Sequence, residues 1–192
     1  DRMKHLMFEA VVLISGGNDS PDTHKAKWFS KVWDDFRDLF FDYGEINKTN
    51  LDGCDPFARN CELAKYTNDL DEDTNAKEHK PALEFLQQFE TDSMDYVIFD
   101  PPFSQRQADD HYNGIGHNLY ASDAVLMSDC LDEATRIIKP NGYLLKFGYN
   151  CNTFHPHMEL VKLWLIQKIH RTHNNTTIVS LWQNKQQSLF DY

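Results

Sequence analysis

Four consecutive residues carry the clearest chemistry in the sequence: Asp100-Pro101-Pro102-Phe103, directly after the apolar run Tyr96-Val97-Ile98-Phe99. That run is short, β-branched and aromatic, which predicts a buried strand. Two prolines cannot donate to a sheet ladder, so the strand must end there. A carboxylate and a stiff backbone are thereby presented at a strand's C-terminal edge, where open α/β sheets bind ligands. Such a pair suits the activation of an exocyclic amine, whose lone pair is delocalised into its ring. The Asp100 carboxylate and the Pro101 carbonyl would each accept one N–H and aim the lone pair at a methyl donor. Rigid prolines fix the geometry of the two acceptors, and the Phe103 ring offers a flat face for an extruded base. Taken alone, the same four residues are equally a strand exit with a tight turn.

A second stretch makes the pattern more specific. Asp100-Pro101-Pro102-Phe103 resembles the catalytic motif of the S-adenosylmethionine-dependent amino-methyltransferases that act on adenine N6 or cytosine N4. Upstream, Asp55-Pro56-Phe57-Ala58-Arg59-Asn60-Cys61 resembles their cofactor loop, usually Asp-Pro-Phe-x-Gly-x-Gly. Thr67-Asn68-Asp69-Leu70-Asp71 and Ser104-Gln105-Arg106-Gln107 resemble a compact, phage-type adenine-specific DNA methylase group. The likeness runs in order from about Asn50 to the C-terminus.

This resemblance implies methyl transfer to adenine N6 in DNA, with Asp100, Pro101, Pro102 and Phe103 as the catalytic motif. It places Asp55, Pro56, Phe57, Ala58, Arg59, Asn60, Asp69 and Asp100 around S-adenosylmethionine. Asp69 would accept hydrogen bonds from both ribose hydroxyls, as acids do in dinucleotide sites, with Asp71 the next candidate. Asp rather than Ser at position 100 favours adenine over cytosine. The chain departs from the family where Arg59 and Cys61 replace glycines, and where Lys80-Pro81-Ala82 lacks an acid for the cofactor's adenine. Arg59 would instead reach the cofactor carboxylate or a DNA phosphate. Asp-Pro-Pro-Phe also occurs in enzymes that methylate guanine N2 in ribosomal RNA. The alternatives are therefore an RNA base amino-methyltransferase (adenine N6 or guanine N2) and a non-catalytic methyltransferase-like binding subunit.

The elements that must position these residues follow from pattern. Val11 to Ile14 predicts a short strand, followed by Ser15-Gly16-Gly17-Asn18-Asp19-Ser20, which resembles the phosphate loop of ATP pyrophosphatases and reads equally as a turn-rich loop. Trp28, Phe29, Val32, Trp33, Phe36, Leu39 and Phe40 recur at helical spacing and predict one apolar face over residues 23–41. That helix would lie against the sheet beside the cofactor. Residues 50–54 predict a strand leading into Asp55, and 67–69 the end of the next. Pro81 opens a helix with Leu83, Leu86 and Phe89 inward. A further helix runs from about Ser122 through Ile138, ended by Lys139-Pro140-Asn141-Gly142, and the strand 143–147 follows. Two β-like runs, 161–170 and 176–183, joined through His173-Asn174-Asn175, predict a hairpin. The expected fold is a three-layer Rossmann-like methyltransferase fold, mostly parallel with a C-terminal antiparallel hairpin. It is read as one domain over 1–192, with 1–49 packing on the core and no separate target-recognition domain.

Composition limits the partners. The 192 residues are 41% hydrophobic and 13% aromatic, enough for a core. No apolar run is long enough for a membrane span, and no signal-peptide pattern opens the chain. Cys54, Cys61, Cys130 and Cys151 show no paired spacing, which predicts free thiols in a reducing compartment. The expected location is the cytoplasm or a host cell's interior, with the nucleoid as one site of association. A net charge of −11 opposes nucleic-acid binding in bulk. Local basic clusters partly answer this: His24, Lys25, Lys27 and Lys31 near the start, and His155, His157, Lys162, Lys168, His170, Arg171 and His173 near the end. Candidate substrate contacts are Phe103, Arg106, Gln107, Lys168 and Arg171. Sequence specificity would come from loops or from a partner chain. No metal is expected, because His155-Pro156-His157 and His170 to His173 lack a carboxylate or Cys at ligand spacing.

Overall fold

The computed structural model of the protein describes residues 9–16, 23–42, 51–102, 112, 124–150, 156–169 and 176–185. Among these residues, seven strands form one sheet: β1 (Glu9–Gly16), β2 (Gly53–Asp55), β3 (Tyr66–Thr67), β4 (Met94–Phe99), β5 (Ile138–Gly148), β6 (Met158–Ile169) and β7 (Thr177–Asn184). Their order is β1-β6-β7-β5-β4-β2-β3. β7 alone runs against its neighbours, antiparallel to both β5 and β6, and every other pairing is parallel. This is the expected Rossmann-like sheet with its C-terminal antiparallel pair, carrying β1 as an outer strand beside β6.

Alternation along β4 sends side chains to two separate cores. Tyr96 and Ile98 face α1 (Lys27–Asp42), whose buried Trp28, Phe29, Val32 and Phe36 cover Tyr143, Leu145 and Phe147 of β5 as well. Phe29 stacks on Phe147 at 5.9 Å, and Phe36 meets Tyr96 edge-on at 5.6 Å. Val97 and Phe99 face the other layer, where α2 (Ala82–Gln87) contributes Phe85 and Leu86, and α3 (Ala124–Arg136) contributes Cys130 and Ala134. Three layers result. Cys54, Cys61 and Cys130 are free and buried, while Cys151 lies outside the described residues.

Several element boundaries differ from the sequence reading. β2 begins at Gly53 rather than residue 50, and β3 holds only two residues, continued by a single bridge from Asn68 to Glu78. The helical segment before α1 is a separate 3-10 turn, Thr23–Lys25. Ala82, Phe85 and Leu86 are the buried residues of α2, while Leu83, and Phe89 just beyond the helix, are half-buried. α3 stops at Arg136, so Ile138 belongs to β5, and Lys139-Pro140-Asn141-Gly142 lies within that strand. The physical reason is a wide bulge: from Met94 to Tyr96 β4 advances two residues, while its partner advances from Ile138 to Tyr143. Asn141 takes φ 65° there, and a Cβ on Gly142 would come within 2.8 Å of the Asp95 carbonyl. Pro and Gly therefore bend the strand instead of ending a helix.

Candidate functional site

The sheet's order reverses beside β2: β3 lies on one side of it and β4, next in the chain, on the other. Parallel sheets bind ligands in the crevice outside the carboxyl ends of strands at such a switch point. Asp55 ends β2, and Asp100 directly follows β4. The two candidate acids thus face one crevice.

Asp55 is buried and folds its own turn, its Oδ1 accepting from the Phe57 N–H at 3.0 Å. The Phe57 ring stands perpendicular to Phe99, 5.4 Å away, so the loop leans on the last residue of β4. Asn68 braces the loop from beneath. Its carbonyl accepts from the Ala58 N–H at 2.8 Å. Its side-chain amide donates to the Pro56 carbonyl at 3.2 Å and the Lys80 carbonyl at 3.0 Å, and its Oδ1 accepts from the Lys80 N–H at 2.9 Å.

Arg59 takes φ 48°, the left-handed region that glycine enters most easily. The Arg59 N–H donates to Asp69 Oδ2 at 3.0 Å. Asp69, fully buried, also accepts from the Asp71 N–H at Oδ1 (3.0 Å) and from the Tyr112 hydroxyl at Oδ2 (3.3 Å). Asn60 takes the Asn75 N–H on its side-chain oxygen at 3.0 Å, tying the loop to the acidic turn beyond Asp69.

Burial raises all three acids, and Asp55 also feels the other two. Burial above all, with repulsion from Asp100 and Asp69, holds the Asp55 carboxyl well above the usual range against the Phe57 hydrogen bond. Burial also raises Asp69, opposed by the Asp71 and Arg59 amides and by the Arg59 charge. Asp100 is pushed up to about 7 by burial, offset in part by a hydrogen bond with Thr23. Nearby, burial and then Asp55 push the Cys61 thiol up to about 12, which leaves it an unreactive thiol. Asp100 and Pro101 are half-buried and Pro102 is buried, so the motif is anchored yet reachable.

A cleft of about 560 Å³ lies between α1 with the turn before it and residues Cys61 to Leu63, which follow the Asp55 loop in the chain. Phe29, Trp33 and Leu63 give it an apolar lining, alongside His24, Lys25, Lys27, Cys61 and Glu62. Its size lies within the range of small-molecule sites. The aromatic face of α1 thus serves the core through Trp28, Phe29, Val32 and Phe36, and the cleft through Phe29 and Trp33.

The structure therefore gathers Asp55, Pro56, Phe57, Ala58, Arg59, Asn60, Asp69, Asp100, Pro101 and Pro102 around one end of the sheet. Phe103, Arg106, Gln107 and Arg171 lie outside the described residues, as does the Lys168 side chain. Sequence reasoning missed Tyr112 and did not connect Thr23 to Asp100. Both contacts arise from tertiary approach, with 43 residues separating Tyr112 from Asp69, and no local pattern signals them. Asn68 was legible only as a neighbour of Asp69. Among the described residues, no group of three His, Cys, Asp or Glu is placed to hold a metal ion. Likewise, no helix among them is long and apolar enough to cross a membrane.

The fold and site define a Rossmann-like α/β domain with an acid-lined crevice at its switch point. No protein-family model matches the sequence, and no curated protein matches it significantly. Among solved structures, the chain is similar to a proposed methylase of Haemophilus influenzae at 18% identity and TM-score 0.48, covering 79% of this chain and 89% of that one. A proposed methyltransferase of Escherichia coli aligns at 15% identity and TM-score 0.47, covering 80% and 86%. A proposed methyltransferase of Streptococcus mutans, solved in complex with SAH, aligns at 15% identity and TM-score 0.39, covering 70% and 86%. Similarity at this level says nothing of substrate, and the chemistry is read from the residues of the site.

Proposed function

We propose that the protein is an S-adenosylmethionine-dependent methyltransferase acting on the exocyclic N6 amine of adenine in DNA. The observation that carries the reading is Asp100 with its proline exit, half-buried at the switch-point end of β4 and facing the Asp55 loop across the crevice. The residues fit the cofactor. Asp69 offers an acceptor for ribose, and the cleft beside Cys61 and Phe29 has an apolar wall and room for a small molecule. When bound, the cofactor supplies an electrophilic methyl group on a sulfonium. Asp100 and the Pro101 carbonyl orient the amine by accepting its two N–H groups. So held, the amine nitrogen would take up that methyl group, and its surplus N–H proton would leave to solvent. Phe103 would stack the extruded base, and Asp55, Phe57 and Asp69 would hold the cofactor.

The test is mass spectrometry of nucleosides after incubation with cofactor and either duplex DNA or RNA. N6-methyladenine in the DNA digest is expected. Asp100→Ala should lower its rate by about 10²–10³, the usual effect of losing one preorganised electrostatic contact. Methylated guanine from RNA alone would overturn the substrate assignment, and no methylated base from either would overturn the enzyme reading. Because the chain is acidic, DNA affinity should be modest and steeply salt-dependent, carried by local cations such as Lys168 and Arg171. Charge reversal of both to Glu should weaken DNA binding at all sequences while sparing cofactor affinity. Unchanged DNA binding in that double variant would remove the C-terminal hairpin from the interface.

A further inference from the structure

Asp69 is the acid that the proposed function assigns to the cofactor's ribose, and its carboxylate is already well supplied with donors. A carboxylate offers about four lone-pair sites. Oδ2 accepts from the Arg59 N–H at 3.0 Å and from the Tyr112 hydroxyl at 3.3 Å, and Oδ1 accepts from the Asp71 N–H at 3.0 Å. One site remains, whereas a ribose diol brings two hydroxyl donors. One resident donor must yield.

The two amides are poorly placed to do so. The Arg59 N–H belongs to a turn held in the left-handed region at φ 48°, in the loop that packs Phe57 on Phe99. The Asp71 N–H closes a turn on Asp69 itself, and Asp71 in turn accepts from the Asp73 N–H at 3.0 Å. Moving either would rearrange backbone. The Tyr112 contact is the longest of the three and is made by a side chain, which can turn away without moving that backbone. Tyr112 is also a dependable donor, since burial and then Asp69 hold its phenol protonated.

We infer that the Tyr112 hydroxyl occupies the place on Asp69 that a ribose hydroxyl must take, so that cofactor binding exchanges one for the other. The inference rests on the proposed cofactor. It makes Tyr112 a positioning residue: it satisfies Asp69 until the ribose arrives, and it competes with the ribose for Oδ2. Tyr112→Phe keeps the ring in its buried seat (4% exposed) and removes only the competing hydroxyl.

The experiment measures the affinity of S-adenosylhomocysteine for the parent protein and Tyr112→Phe by calorimetry, beside an analogue lacking the ribose 2′ and 3′ hydroxyls. The variant should bind S-adenosylhomocysteine roughly three- to tenfold tighter, the net effect of one hydrogen bond. The analogue should bind both proteins equally. Unchanged or weaker binding of S-adenosylhomocysteine by the variant overturns the exchange, as does equal tightening for the analogue, which would mark a general loosening. In the parent protein, a ¹³C label at the tyrosine ζ carbons gives a readout independent of any variant. The Tyr112 signal should shift with S-adenosylhomocysteine and not with the analogue, and the same shift with both ligands overturns the inference. A parent protein that binds neither ligand instead overturns the cofactor reading itself.

Discussion

Asp100, at about 7, is near half-protonated at neutral pH. Only the carboxylate can serve as a full acceptor for the amine, so kcat/KM should rise with pH and level off above about 7. Thr23 donates the one hydrogen bond that lowers this value, so Thr23→Val should move the acid limb to higher pH. A limb that stays in place would detach Thr23 from catalysis, and a flat profile would detach Asp100. Arg59 allows a second measurement at this scale. A non-glycine residue in the left-handed region carries a strain of about 1–2 kcal/mol. Arg59→Gly and Arg59→Ala both lose the guanidinium, but only glycine relieves the backbone. The glycine variant should be the more stable by about 1 kcal/mol in urea denaturation, and equal midpoints would show that the turn is unstrained. Residues such as Asp55 and Asp100 were legible because their chemistry is written in adjacent residues. Tyr112 and Thr23 were not, because their partners are brought to them only by folding.

At the scale of elements, β2 and β4 are locked by a glycine and a ring. Gly53 pairs with Tyr96, and a Cβ on Gly53 would fall 2.0 Å from the Tyr96 ring. The Tyr96 hydroxyl reaches past the strand to donate to the Leu63 carbonyl at 2.9 Å, fixing the segment that lines the cleft. Gly53→Ala should therefore displace a packed ring and cost about 1–3 kcal/mol or more, while Tyr96→Phe loses one hydrogen bond, about 1 kcal/mol. The two changes share the ring, so Tyr96→Ala should remove most of the Gly53→Ala penalty. Additive losses in chemical denaturation would contradict the contact. The same strands show what sequence can convey. α1 and the β6–β7 pair were legible because long periodic stretches repeat their signal many times. The end of β3 was legible through the residues around Asp69, whereas the Lys139 to Gly142 bulge uses the residues that ordinarily end a helix. Its shape comes instead from β4, through the Asp95 carboxylate on Lys139 at 2.8 Å and on the Asp52 N–H at 2.7 Å.

For the whole molecule, the crevice acids set how stability depends on pH. Asp100 holds its proton to about 7 in the folded chain, against 3.8 for an exposed aspartate. Between those values the folded state binds a proton that the unfolded state has released, so unfolding free energy falls as pH rises from about 4 to about 7. The contribution is complete below the unfolded value and gone above the folded one. Asp55 and Asp69, both raised by burial, act in the same direction. Glu78, where hydrogen bonds from Lys80 and Gln88 outweigh burial and lower its carboxyl, works the other way, but exposed ion pairs contribute little. The net charge of −11 adds a self-repulsion of its own at neutral pH. The informative comparison is therefore with Asp100→Asn, which keeps the shape and stays neutral. Melting temperatures followed from pH 4 to 8 should fall less steeply in that variant. Parallel curves for the two proteins would mean that the Asp100 carboxyl ionises in the folded chain as it does in solvent. The rise of kcat/KM through about 7 would then lose its physical basis, since the loss of folding stability and the gain of an acceptor are two consequences of one proton.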